Sequence, residues 1–131
     1  MGFTPKDFTV WTEIPVSDLK KAITFYETVT GAEMVVTQMG PYETAVFPVT
    51  DPANGVSGHL YEGKPAGDGT GPTIHMMFDG KLEDAAERVR AAGGKVVSDE
   101  PVSIPEGRFV YCMDPDGNSI SLFEAGSGGA G

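Results

Sequence analysis

One cysteine, one tryptophan and two histidines are all that 131 residues contain of those types, and nine basic side chains face nineteen acidic ones. Each shortage excludes something. The lone Cys112 cannot close an internal disulfide, which fits a reducing compartment and predicts a cytoplasmic location. Its surroundings, RFVYCMD, supply no base to activate a thiolate, so an inert buried thiol is expected. A formal net charge of −10 opposes binding to nucleic acid or to an anionic membrane surface, and leaves neutral or cationic small molecules as ligands. No apolar run approaches the roughly 20 residues that span a bilayer. The opening MGFTPKDFTVW has no basic stretch leading into an apolar one, and Lys6 stands where a myristoylation signal requires Ser or Thr. Phosphate loops, dinucleotide fingerprints, Ser-His-Asp sets and paired-cysteine metal motifs are absent.

What is present is written twice. Leu19, Ala22, Ile23, Tyr26 and Val29 recur at helical spacing behind Asp18, an N-cap residue, and Gly31 stops the pattern, so a helix is predicted over 18–30. Leu82, Ala85, Ala86 and Val89 repeat it over 81–92, about 62 or 63 positions later. The strands repeat as well. FTVWTEIPV and PTIHMMF precede the helices, while GAEMVVTQM and GGKVVSDEP follow them. ETAVFPV and RFVYCM come next, then the turns DPANG and DPDGN and the closing runs VSGHLYE and NSISLFE. Each half therefore reads strand, helix, strand, strand, strand, and two copies predict a pseudo-symmetric pair. One domain over 1–126 is expected, with modules at about 8–62 and 73–124. The Gly/Pro-rich stretch 63–72 reads as their linker, and 125–131 as a flexible Gly-rich tail.

EIPVSDLKKAITFYETVTG in the first half and AAERVRAAGGKVV with DPDGNSISLFE in the second resemble the vicinal oxygen chelate superfamily. That superfamily includes glyoxalases, bleomycin-resistance and fosfomycin-resistance proteins and extradiol dioxygenases. The resemblance covers roughly 8–124. It implies an α+β fold of two tandem βαβββ modules, whose eight strands form a curled mixed sheet around a cleft, and it points to a homodimer. In metal-dependent members the ligands come from the first and last strand of each module. Those positions fall on Trp11, His59, Thr73 and Ser121, of which His59 alone is a good ligand type.

Strand alternation offers a second set. Glu13 shares a face with Trp11 and His75 with Thr73, and with His59 they make two histidines and a carboxylate, a set suited to Fe, Mn, Ni or Zn. A two-residue slip along a strand moves a ligand ~6–7 Å. Glu13 is also a catalytic candidate without any metal, because a carboxylate in an apolar strand and a dry cleft would serve as a general base. Trp11, Thr73, Tyr111, Ser121 and Phe123 are the expected cleft lining, with the aromatics stacking on a ligand. Glu62 and Glu124, which end the closing strands, read as solvated. Two functions are expected to compete: a glyoxalase-like lyase, isomerase or dioxygenase with a degenerate metal site, and a metal-independent protein that sequesters a small molecule or drug.

Overall fold

The computed structural model describes residues 2–126. The first half runs β1 (Trp11–Val16), α1 (Leu19–Thr30), β2 (Val35–Met39), β3 (Tyr42–Val46) and β4 (Ser57–Glu62). The second runs β5 (Ile74–Met76), α2 (Leu82–Ala91), β6 (Lys95–Val96), β7 (Val102–Ile104), β8 (Gly107–Met113) and β9 (Ser119–Ala125). The fold is α+β, with one open mixed sheet per half: β1-β4-β3-β2, and β5-β9-β8-β6 with β7 also on β8. Each half joins its first and last strands in parallel, β1 with β4 and β5 with β9.

Among the described residues the count is nine strands rather than eight, because GGKVVSDEP does not make one strand. Lys95 and Val96 pair with Met113 and Cys112, and Val102–Ile104 resume on Phe109–Gly107. Between them the amides of Val97 and Ser98 both donate to the Tyr111 carbonyl, at 2.7 and 3.3 Å. Residues 97–101 thus bulge away from the ladder, ending at Pro101, which has no amide hydrogen to give it. Ala125 still belongs to β9, and the rest of the expected Gly-rich tail, from 127, lies outside the described residues.

Both helices form where the periodicity puts them. Asp18 caps α1 by accepting from the Lys21 amide at 3.1 Å, and Gly31, at φ 82°, lets the chain leave the helix in a left-handed turn. Glu62 is exposed and Glu124 half-buried, and both also have a capping role. Glu62 Oε2 accepts from the Leu19 amide at 3.2 Å and Glu124 Oε2 from the Leu82 amide at 3.0 Å, so each closing strand ends by capping its own module's helix. A carboxylate there satisfies an orphan amide and faces the positive end of the helix dipole. Glu124 also accepts from Arg108 Nε at 2.7 Å.

Helix faces and sheet faces then close on each other. Phe25, Tyr26 and Val29 of α1 and Leu82, Ala85 and Val89 of α2 share one buried cluster with Ile14, Leu60, Val110, Ile120 and Leu122. The helices touch, and Arg88 on α2 donates to the Val29 carbonyl near the end of α1 at 3.0 Å. A second tie is polar. Buried Asp114 accepts from the Tyr26 hydroxyl at 2.7 Å and from Asn118 Nδ2 at 2.9 Å, and Asn118 also donates to the Pro15 carbonyl at 2.7 Å. The second DP turn thereby holds the two halves together, whereas in the first Asp51 bonds only its own turn. With the helices on one side of each sheet, the opposite sides are left open for a site.

Candidate functional site

On the open side of the first sheet, strand register decides which side chains meet. Glu13 is the direct partner of His59 across the parallel β1–β4 ladder, while Trp11 pairs with Ser57 one same-face step away. Gly58 makes the approach possible, since a Cβ there would lie 2.1 Å from Thr12 Oγ1. His59 is nearly buried, and its two ring nitrogens face different neighbours. Trp11 Nε1 donates to His59 Nδ1 at 2.8 Å, and His59 Nε2 points to Glu13 Oε2 at 3.7 Å. Tyr61 stands beside them, its ring centroid 6.1 Å from that of His59. The Glu13 side chain is 64% exposed, so within one chain the carboxylate is wet, not in a dry cleft.

On the second sheet the repeat-equivalent pair is His75 and Ser121, again direct partners across a parallel ladder. His75 packs edge-on against Phe109 and Tyr111, at ring-centroid distances of 4.9 and 6.1 Å. Phe123 pairs with Phe109 and Tyr111 with Ser121 across β8–β9. The Ser121 hydroxyl is fully buried and has no hydrogen-bond partner among the described residues. Thr73 shares a 2.5 Å hydrogen bond with Ser119. A groove of about 900 Å³ lies where β5 faces the start of β1 and β4. Phe47, Val49, Val56, Thr73, His75 and Met77 are among its walls, and Trp11, Glu13, His59, Tyr111, Ser121 and Phe123 are not.

The structure therefore brings Glu13 and His59 together and leaves His75 on the other sheet. Among the described residues no three His, Cys, Asp or Glu side chains are grouped to hold an ion. The chemistry of the His59 ring argues the same way. A nitrogen that accepts the indole proton carries a lone pair, so in the neutral ring the hydrogen is on Nε2, which then has no lone pair for a metal. An ion at Nε2 would require a hydrogen on Nδ1, set against the indole N–H. The described residues do not fit a divalent ion held within one chain. The sequence signal for this was Trp11 itself, but its meaning depends on a register that no single strand displays.

The family model for the Glyoxalase/Bleomycin resistance protein/Dioxygenase superfamily matches residues 9–122. The chain belongs to that superfamily. Solved members of similar shape include the fosfomycin resistance protein FosX of Listeria monocytogenes, with a TM-score of 0.68 at 20% identity over 95% of this chain and 94% of that one. A glyoxalase/bleomycin resistance protein from Albidiferax ferrireducens T118 scores 0.66 at 19% identity, over 89% and 98% of the two chains. One from Streptomyces sp. CB03234 scores 0.61 at 27% identity, over 88% and 99%. No curated protein matches in sequence. The Listeria FosX has also been crystallised with Mn(II) and a sulfate ion. Superfamily membership fixes the fold of the present chain, and its site must be read from its own residues. No helix among the described residues is long and apolar enough to cross a membrane.

Proposed function

We propose that this superfamily member binds a small molecule on its open sheet faces without a resident metal, as a sequestering protein. One observation carries the reading: the Trp11–His59 hydrogen bond, which commits the one histidine at a family ligand position to an indole partner. Ser121 at the matching position of the second sheet points the same way, because a buried hydroxyl is a poor replacement for a carboxylate or imidazole ligand. The open faces, with Trp11 and Tyr111 about two-fifths exposed, support pairing into a homodimer. A buried lone cysteine supports a reducing, cytoplasmic setting. The approach of Glu13 to His59 favours a second reading, a metal-assisted lyase, isomerase or dioxygenase.

A thermal-shift titration of chelator-stripped protein with Fe²⁺, Mn²⁺, Ni²⁺ and Zn²⁺ separates the two. An ion held at about 100 times its Kd would stabilise the chain by about 2.7 kcal/mol, several degrees at this size. The expected result is no shift. A shift that disappears in both Glu13→Ala and His59→Ala would overturn the metal-free reading and establish the enzyme one.

A further inference from the structure

We propose that the open face of the first sheet is a site for a small organic monocation, an alkylammonium or quaternary ammonium group. The Glu13 carboxylate would hold it inside an arc of the Trp11, His59 and Tyr61 rings. The inference rests on the metal-free binding reading and goes beyond it in naming the ligand's chemistry.

Three observations converge. First, the carboxylate is uncompensated. None of the four strands of this sheet contains Lys or Arg. Among the described residues the only basic nitrogen within 4 Å of Glu13 is His59 Nε2. The indole N–H occupies the ring's other nitrogen, Nδ1, at 2.8 Å. At 3.7 Å the facing nitrogen Nε2 is beyond hydrogen-bond distance, so Glu13 has no close cationic partner among the described residues.

Second, three rings share the open face with the carboxylate. Trp11 precedes Glu13 by one same-face step on β1, His59 lies directly across, and Tyr61 is the next same-face position on β4. The Trp11 and His59 centroids are 5.9 Å apart and their planes tilted by 46°, and His59 and Tyr61 are tilted by 69°. A flat aromatic ligand wants parallel walls. Tilted faces suit a rounded ammonium group, which is attracted to ring faces within about 6 Å. Third, a net charge of −10 raises the local concentration of any cation.

Trp11 is the only tryptophan, so its fluorescence reports the site directly. Titration with choline should give a saturable change. The response to 3,3-dimethylbutan-1-ol, of the same shape without the charge, should be weaker by about tenfold or more. Glu13→Gln, which keeps the shape of an exposed side chain, and Tyr61→Leu should each weaken choline binding about fivefold or more, with circular dichroism unchanged. Equal binding of choline and the alcohol, undiminished binding by Glu13→Gln, or no saturable choline response would each overturn the proposal. Neutral aromatic probes that bind while choline does not would sink the cation site and leave metal-free binding standing. A metal-induced thermal shift lost in Glu13→Ala would remove the underlying reading instead.

Discussion

Trp11, expected from the resemblance at a metal-ligand position, does more than withhold a donor atom. Its indole N–H takes up His59 Nδ1 and leaves Nε2 as the nitrogen that Glu13 meets. The sequence made His59 and Glu13 candidates by residue type, because an imidazole and a carboxylate on predicted strands are uncommon and visible. Strand alternation proposed them together in one set, but not the register that makes them direct partners across 46 residues, Glu13 with His59. Cys112 was legible throughout: an apolar run with no base predicts an inert thiol, and the thiol is buried. Burial pushes it up to about 11. An exposed cysteine ionises near about 8.5, so between those values only the unfolded chain releases the proton. The thiol's contribution is complete below about 8.5 and declines as pH rises towards 11. Urea midpoints measured from pH 8 to 10.5 should fall with pH in the wild type and less steeply in Cys112→Ala, whatever offset the lost volume adds. Equal slopes would contradict this.

At the scale of elements, the helices were the most legible features because apolar periodicity and capping residues are local. The capping role of the glutamates was not legible, since Glu62 and Glu124 act on amides 43 and 42 residues away. They occupy the same place in both halves, which marks the closing strand and the helix start as one repeated contact. Glu62→Ala should cost about 1 kcal/mol in urea denaturation, as lost N-caps commonly do. Glu124→Ala should cost more, because Arg108 and the Leu82 amide both lose a partner. The Arg108 hydrogen bond, first, and the Leu82 amide hold the Glu124 carboxyl below the usual carboxylate range. Its contribution is therefore present at neutral pH and lost as pH falls through that lowered value, so the gap between wild type and Glu124→Ala should narrow in acid. The broken second strand of the later module was beyond local reading. GGKVVSDEP has the apolar residues of a strand, and only its partner β8 shows that residues 97–101 cannot stay in register.

Taken whole, the molecule is two similar halves joined by unlike contacts. The duplication was plain in the sequence, but not which copy of the DP turn would hold the halves together. Asp114 does so through Tyr26 and Asn118, and Asp51 has no counterpart to that network. Burial, and then Asp114, raise the Tyr26 hydroxyl well above its ordinary value, as expected of a phenol that donates to a carboxylate in the interior. Tyr26→Phe keeps the ring and leaves Asp114 short of a donor, so it should cost about 1–3 kcal/mol by chemical denaturation. If the hydroxyl matters less than the packing, the variant will match the wild type.

The interruption between β6 and β7 has a consequence for how chains meet. A sheet border is a template for more strands unless something spoils it. Here three borders are spoiled: β1 carries Pro15, β5 has only three residues, and the far side of the second sheet is broken at Pro101. Among the described residues β2 is the border left without such a break, five residues with Val35 and Val36 exposed. A strand added there would find no second unbroken border from which growth could continue.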